Sequence, residues 1–379
     1  MKIVVPKETR PGERRVALVP ESCKKLIGKG ATVAVQSGAG SASFFSDDAF
    51  HAVGVGVEAD GDAMVASGDL VAKVQAPTTA EISRFREGAM LLASFQPTKT
   101  LESVRELAAR RITAFSTDCI PRITRAQSMD TLSAMSNIAG YKAVLIAANE
   151  LAKYFPMLMT AAGTIFAAKV FVIGAGVAGL QAMATAKRLG ATVTATDTRK
   201  TVAEQVQSLG GRFVGVESAE DAQTASGYAK ELSQDFYKKQ AELIAQQCAA
   251  NDVVITTALI GGVKAPKLIT AEMVRGMQPG SVIVDLAAEA GGNCELTRPG
   301  ETVVENGVRI VGPLNLPSEM PKDSSTLFSR NLATFILAFW KDNAFNLDLG
   351  DEIIKGAVIT HNGEVVHAPA KAALQAGGA

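Results

Sequence analysis

Cysteine is scarce in this chain of 379 residues, and the four cysteines present are isolated from one another. Cys23, Cys119, Cys248 and Cys294 form no CxxC pair, and none has a histidine at the spacing of a zinc ligand. Such spacing argues against a zinc site and is typical of reduced thiols in the cytosol. Net charge is also absent, because Lys and Arg number 38 and so do Asp and Glu. No overall field therefore attracts nucleic acid or an anionic membrane.

Long apolar runs are missing as well. The N-terminal stretch MKIVVPKETR lacks the apolar core of a signal peptide. The longest apolar stretch, residues 160–186, is interrupted by Lys169 and by several glycines. We therefore expect a soluble chain without a transmembrane segment.

What the sequence does contain is an alternation of short β-branched runs with amphipathic segments. In the N-terminal third, KIVV, TVAVQS, DLVAKV, AMLLASF and ITAFST predict strands. PESCKKLIGKG and TKTLESVRELAARR predict helices between them. A second alternating region begins with AKVFVIGAGVAG. This pattern indicates βαβ units and parallel sheets.

Length favours two domains, because a single core rarely extends over 379 residues. We expect the N-terminal domain to comprise residues 1–126 plus 318–379, and the second to comprise residues 127–317, beginning with a helix over about 127–154. The fold class is α/β: two parallel-sheet βαβ domains, the second a Rossmann domain, with a cleft between them. A polar segment near residues 216–236 predicts a long mobile loop.

One dinucleotide-binding fingerprint is present. VFVIGAGVAG places Gly174, Gly176 and Gly179 in GxGxxG spacing directly after a strand, and a helix follows. The first glycine permits the tight turn, the second admits a pyrophosphate, and the third lets helix and strand pack closely. Asp197 ends the next strand, where a carboxylate accepts hydrogen bonds from ribose hydroxyls and repels a 2′-phosphate. The fingerprint therefore favours NAD(H) over NADP(H).

The segment PRITRAQSMDTLSAMSN, residues 121–137, is dense in hydrogen-bonding side chains. On a helix, Asp130, Ser133 and Asn137 fall on one side, opposite Met129 and Met135. One interpretation is a solvated face with a helix cap. The other is one wall of a pocket, since Arg, Gln, Asp and Ser supply the donors and acceptors that a nicotinamide carboxamide and a ribose diol need.

Both the polar segment and the glycine fingerprint match one family. PRITRAQSMDTLSAMSNIAGYKAV, GAGVAGLQAMATAKRLGA, TDTRK and MQPGSVIVDLAAEAGGNC closely resemble the NAD(H)-binding domain I of proton-translocating nicotinamide nucleotide transhydrogenase, in the alanine dehydrogenase/transhydrogenase family. The resemblance implies direct hydride transfer between NAD(H) on this chain and NADP(H) on a partner domain III. Membrane domain II would couple this transfer to proton translocation. It also implies a homodimer that is cytoplasmic and peripheral at the inner membrane.

The resemblance also assigns site residues, motif by motif. The residues implied at the reacting nicotinamide and its ribose are Arg122, Gln127, Asp130 and Ser133. The further NAD(H)-binding residues implied are Ile123, Thr124, Gly174, Gly176, Val177, Gly179, Asp197, Thr198, Arg199, Gly227, Tyr228, Gln240 and Leu259. No metal is expected. Hydride transfer between two nicotinamide rings leaves no group to protonate, so catalysis consists mainly of positioning and exclusion of water.

Two alternatives stay open at this point. An alanine-dehydrogenase-like oxidative deaminase would use Arg15 and Lys73, which match that relative's substrate-binding pattern. Deamination needs a general acid–base group, however, and Gln96 stands where that relative has its catalytic histidine. The other alternative is an NAD(H) sensor that binds the cofactor without turnover.

Overall fold

The computed structural model of the chain describes residues 1–216, 233–259 and 264–376. These form two compact units, Met1–Met135 with Pro317–Ala379, and Ser136–Leu316. The strands are β1 (Lys2–Val5), β2 (Thr32–Gln36), β3 (Gly56–Glu58), β4 (Leu70–Gln75), β5 (Met90–Ser94), β6 (Thr113–Ser116), β7 (Leu158–Thr160), β8 (Gly163–Ile165), β9 (Lys169–Ile173), β10 (Thr192–Thr196), β11 (Arg212–Phe213), β12 (Val253–Thr256), β13 (Val282–Asp285), β14 (Thr302–Glu305), β15 (Val308–Val311), β16 (Trp340–Lys341), β17 (Ala344–Phe345), β18 (Val358–His361) and β19 (Glu364–Val365).

Helices separate most of the strands. The α-helices are α1 (Pro20–Ile27), α2 (Asp47–His51), α3 (Gly61–Ala66), α4 (Thr79–Ile82), α5 (Leu101–Ala109), α6 (Thr131–Glu150), α7 (Val177–Arg188), α8 (Ala203–Ser208), α9 (Gln234–Ala250), α10 (Ala271–Arg275), α11 (Pro321–Ala338), α12 (Glu352–Ala357) and α13 (Ala368–Ala376). The 3-10 turns are Ser41–Ser43, Thr117–Cys119, Thr124–Met129, Lys200–Val202, Ala288–Ala290 and Leu316–Glu319.

The first unit is built on an eight-stranded sheet in the order β19-β18-β6-β5-β4-β1-β2-β3. Strands β1 to β6 are parallel, with Ile3 paired to Val33 on one side and to Leu70 on the other. Strands β18 and β19 are antiparallel and extend the sheet at its β6 edge. Both faces are buried: Ile3 and Val5 point into one apolar cluster and Val4 into the other. This explains why KIVV is a continuous apolar run.

The second unit is built on a seven-stranded sheet in the order β11-β10-β9-β12-β13-β15-β14. All neighbours are parallel except β14 and β15. In each unit the first strand of the sheet lies between the second and the fourth, which is the doubly wound strand order of dinucleotide-binding folds. The prediction of two α/β units with parallel-dominated sheets is confirmed, with the antiparallel edge strands as an addition.

Helices α6 and α7 cross at close range within the second unit. A Cβ at Gly140 of α6 would overlap the carbonyl oxygen of Ala178 in the first turn of α7. Ala143, Val144 and Ala147 continue the buried face of α6. Small residues therefore bring α6 against the helix that follows the glycine turn, and α7 is fixed by packing on β9 and on α6 together.

A buried carboxylate near the N-terminus of the first unit is held by several donors. Glu13 accepts from Arg15 Nε at 2.8 Å and Nη2 at 2.7 Å, from Gln75 Nε2 at 2.8 Å and from Ser318 Oγ at 2.6 Å. Burial alone would raise the pKa of Glu13, but the hydrogen bonds, led by that of Arg15, outweigh it and lower the pKa to about 2.

The depressed pKa of Glu13 predicts acid-sensitive stability. The folded pKa of about 2 lies below the ordinary value of 4.5, so this stabilisation is present above pH 4.5 and is lost as pH falls towards 2. The loss should reach at most about 3 kcal/mol. Urea unfolding between pH 7 and pH 2.5 measures it, and Glu13→Gln should flatten the profile while Glu58→Gln, on the surface, should not. An unchanged profile in Glu13→Gln would contradict the prediction.

Candidate functional site

The glycine turn follows β9 at the carboxyl edge of the parallel sheet. Gly174 has φ +96°, a conformation that side chains rarely adopt. Gly176 is extended and caps the N-terminus of α7. Gly179 is buried in the first turn of α7, where a Cβ would overlap the carbonyl oxygen of Gly174. At Gly176, by contrast, an added Cβ would meet nothing within 4 Å among the described residues.

The three glycines therefore have separable reasons. Gly174 is required by its backbone angle and Gly179 by helix–turn contact. Gly176 has an ordinary φ of −80° and open space, so the described part of the protein does not itself demand glycine there. The reason that remains is access of a ligand to the backbone.

The N-terminus of α7 is open to an anion. No side chain in the described ranges caps it, and Val177, its first residue, is 41% exposed. Lys187 and Arg188 lie in the last turn, where they complement the helix dipole. The first-turn N–H groups, together with the positive end of the dipole, form the arrangement that binds pyrophosphate in doubly wound folds.

Asp197, at the end of β10, links the turn to the expected ribose position. Its Oδ2 accepts from the N–H of Ala175 at 2.8 Å, inside the glycine turn. Arg199 folds back on the same carboxylate, with Nε 2.9 Å from Oδ1 and Nη2 2.9 Å from Oδ2. This hydrogen bond to Asp197 raises the pKa of the Arg199 guanidinium. Thr198 lies half-buried between them. Three predicted residues or their neighbours are thus brought together here.

The remaining predicted residues of the second unit are more dispersed. Gln240 is buried on α9, and Leu259, just past β12, is 44% exposed. Gly227 and Tyr228, together with most of the loop predicted near residues 216–236, lie outside the described residues. Residues 234–236 of that segment already belong to α9.

The polar segment belongs to the first unit. Arg122, Thr124 and Gln127 are exposed, and Ile123 packs partly against the apolar core of that unit. Asp130 accepts from the N–H of Ser133 at 2.8 Å through Oδ1 and from its hydroxyl at 2.6 Å through Oδ2. Asp130 therefore caps α6, which begins at Thr131, and the helix predicted from residue 127 starts instead with the 3-10 turn Thr124–Met129.

Anchors that the sequence analysis did not identify hold this segment. Arg125 makes a two-pronged contact with Asp351, at 2.8 Å and 2.9 Å, and Asn331 Nδ2 donates to the carbonyl of Ser128 at 2.8 Å. Ala126 and Met129 are buried beneath it. The backbone is thus fixed on one side, while Arg122 and Gln127 point outward on the other.

The two cations shared with the deaminase pattern are both engaged in ion pairs. Arg15 binds Glu13, with Nη2 and Oε2 2.7 Å apart. Lys73 Nζ lies 2.8 Å from Glu81 and 3.2 Å from Glu8, beside a cavity of about 290 Å³. Gln96 adopts φ +47° and donates its N–H to Asp118 at 2.7 Å. An amide at this position has no proton to exchange near neutral pH.

Fold and glycine turn together define a doubly wound α/β protein whose second unit carries the turn typical of dinucleotide binding. The chain belongs to the alanine dehydrogenase/PNT family, whose N-terminal domain matches residues 4–139 and whose C-terminal domain matches residues 143–368. It is 50% identical to the first of the NAD(P) transhydrogenase alpha-subunit polypeptides of Rhodospirillum rubrum, over 97% of this chain and 98% of that protein.

Two further relatives separate the branches of the family. The crystal structure of transhydrogenase from Sinorhizobium meliloti superposes with a TM-score of 0.89 at 44% identity, covering 96% of this chain and 100% of that one. Alanine dehydrogenase 2 of Staphylococcus aureus is 31% identical over 86% of this chain and 83% of its own length. The resemblance to transhydrogenase identified from the sequence is confirmed, and the alanine dehydrogenase is the more distant of the relatives compared.

The helices of both units are too short or too polar to cross a bilayer. Across the described ranges, no helix has both the length and the apolar character that a membrane span needs.

Proposed function

We propose that this chain is the NAD(H)-binding component of a proton-translocating NAD(P)+ transhydrogenase. It would transfer hydride directly between NAD(H) and an NADP(H) held by a partner domain. The observation that carries the proposal is the turn Gly174–Ala175–Gly176 at the uncapped start of α7, with Asp197 bonded to it. The near full-length match to a transhydrogenase subunit supports it.

The proposed roles follow the chemistry of each group. The glycine turn and α7 would bind the pyrophosphate, and Asp197, Thr198 and Arg199 the adenosine ribose. Arg122, Gln127, Asp130 and Ser133 would orient the nicotinamide and its ribose. When bound, NAD(H) supplies the hydride; the protein holds the cofactor and excludes water. Leu259, Gln240 and the pair Gly227 and Tyr228 are proposed as further contacts.

A partner is required because the two units differ in one respect. The first unit has the doubly wound order, yet β1 is followed by Pro6, Lys7, Glu8 and Thr9 rather than by a glycine turn. In the described parts of the chain, the GxGxxG turn occurs only after β9. We infer that NADP(H) binds to domain III and that membrane domain II couples the reaction to proton movement. The chain would then act in the cytoplasm, peripheral to the inner membrane.

Alanine-dehydrogenase-like deamination is the competing function within the family. It is disfavoured by Gln96, because no histidine stands at that position to exchange a proton. An NAD(H) sensor without turnover is the other competitor, and only an assay of hydride exchange separates it from the transhydrogenase function.

One experiment tests all three functions. The purified chain is assayed with NADH and an oxidised nicotinamide acceptor, with and without a transhydrogenase domain III, alongside a control with alanine and NAD. We expect NADH binding in preference to NADPH, exchange only when domain III is present, and no oxidation of alanine. Oxidation of alanine at an enzymatic rate would overturn the proposal. Binding without exchange would instead indicate the sensor.

We also propose a homodimer, supported by an exposed apolar hairpin in the second unit. Within the described residues, strands β7 and β8 pair only with each other, and both are fully exposed. Met159 and Phe166 are 71% and 74% exposed, with Met157 and Tyr154 close behind. An isolated two-stranded hairpin is marginally stable in water, so this apolar surface fits a second copy of the chain.

Charges on the hairpin should therefore give monomers. We expect Met159→Asp combined with Phe166→Asp to halve the mass measured by light scattering after gel filtration, because burying the carboxylates would cost several kcal/mol. Val304→Asp places the same charge at a 62% exposed apolar residue elsewhere in the second unit and should stay dimeric. A hairpin variant that is still a dimer would exclude this surface.

The functional domain boundaries and the loop are kept as proposals. We propose residues 1–126 with 318–379 as the domain that supports the nicotinamide end, residues 127–317 as the NAD(H) domain, a cleft between them, and a mobile loop near residues 216–236. Limited proteolysis with and without NADH tests the loop, since closure over the nucleotide should protect it.

A further inference from the structure

The threonine that follows β12 contacts the glycine turn from a neighbouring strand. The N–H of Thr257 donates to the carbonyl of Ile173 at 2.9 Å. Its hydroxyl donates to the carbonyl of Gly174 at 3.0 Å and lies 3.2 Å from that of Ile173. Because β12 lies beside β9 in the sheet, Thr257 reaches the turn across the sheet rather than along the chain.

Gly174 and Thr257 fit each other closely. A Cβ at Gly174 would lie 2.5 Å from the Thr257 hydroxyl oxygen. The carbonyl oxygen of Gly174 also packs against Gly179 in the first turn of α7. That single oxygen therefore meets the Thr257 hydroxyl and the helix that would receive the pyrophosphate, so its position fixes the turn relative to the helix.

The residue after Thr257 is held just as firmly. Asn293 Oδ1 accepts from the N–H of Ala258 at 3.1 Å, and Asn293 Nδ2 donates to the carbonyls of Ala258 and Pro266, both at 2.9 Å. Asn293 is fully buried. A side-chain amide that binds both main-chain groups of one residue makes the end of β12 a rigid support for the Thr257 hydroxyl.

We propose that Thr257 is a positioning residue for the pyrophosphate of NAD(H). Its hydroxyl holds the carbonyl of Gly174, and through it the N–H groups of the turn and of the start of α7. Thr257 thus acts through Gly174 and not on the reacting atoms. The inference rests on the proposed function, because it assumes that a dinucleotide binds at this turn.

The test compares two variants of nearly equal size. Thr257→Val keeps the branched shape and removes the donor, whereas Thr257→Ser keeps the donor. We expect calorimetric titration to show an NADH Kd raised about fivefold in Thr257→Val, the effect of one lost hydrogen bond, and within about twofold of the parent in Thr257→Ser. ADP-ribose should weaken as NADH does. Adenosine, which lacks the pyrophosphate, should bind all three proteins alike.

The outcomes separate this inference from the function on which it rests. Failure of the parent chain to bind NADH would remove the proposed function itself. A parent that binds NADH and a Thr257→Val variant that binds it equally well would overturn the inference alone. Equal weakening of adenosine would also overturn it, because that result indicates general disruption. If Thr257→Val does not fold, Thr257→Ala removes the same donor without adding a methyl group.

Discussion

Replacing Gly179 with alanine should remove measurable NADH binding and destabilise the second unit. The new Cβ would overlap the carbonyl oxygen of Gly174, and both partners are backbone in a packed region that cannot move aside cheaply. Overpacking of this kind costs about 1 to 3 kcal/mol. The displaced turn would no longer present its N–H groups in one direction, so we expect the NADH Kd to rise at least about 100-fold, equivalent to some 2.7 kcal/mol.

Gly176→Ala provides the matched comparison in the same turn. Its Cβ would enter open space at an ordinary φ of −80°, so the free energy of unfolding should change by less than about 1 kcal/mol. NADH binding should nevertheless weaken, because the methyl group occupies the approach to the backbone. Titration calorimetry and urea unfolding of both variants give the answer. If Gly176→Ala binds NADH as the parent does, the pyrophosphate does not approach this turn.

Much of the second unit could be predicted because its signals are local in sequence. The strand KVFVI, the three glycines and the helix from Val177 follow one another directly, and Asp197 ends the next strand. Each of these features is recognisable from its immediate neighbours. The strand runs of the first unit could be predicted for the same reason, since burial on both faces leaves continuous apolar stretches.

The residues that support the turn could not be predicted, because their contacts are distant in sequence. Thr257 and Gly174 are 83 residues apart, and Asn293 and Ala258 are 35 residues apart. These contacts exist only once β12 lies beside β9 and the segment after β13 returns to it. Neither residue has a local pattern that indicates such a role. The same holds for Arg125 and Asp351, which are 226 residues apart.

The start of α6 shows a different limit of sequence analysis. The apolar spacing predicted a helix from residue 127, but the α-helix begins at Thr131 because Asp130 caps it. Both interpretations of the polar segment therefore apply to one residue. Asp130 stabilises the helix, and it also lies in the segment with the exposed Arg122 and Gln127. Only substitutions that separate charge from capping can distinguish its two roles.

Asp130→Asn should slow hydride exchange about 100-fold while the Kd for NADH changes by less than about fivefold. Asparagine caps a helix as well as aspartate does, so the fold should be retained and only the negative charge is lost. A change that misplaces the reacting ring by a fraction of an ångström has effects of this size on rate. Asp130→Ala should add a stability loss of about 1 kcal/mol from the missing cap, and Arg122→Ala should match Asp130→Asn in rate.

The control for these variants lies in the same segment. Ser128 is exposed, and Asn331 binds its carbonyl rather than its side chain, so Ser128→Ala should leave both the rate and the stability unchanged. Single-turnover exchange with a domain III, beside NADH titration, separates chemistry from binding. If Asp130→Asn and Arg122→Ala exchange hydride at the parent rate, the polar segment is only a helix start. If instead both lose NADH binding in proportion to rate, their groups hold the cofactor equally before and during transfer, and the positioning role assigned to them is wrong.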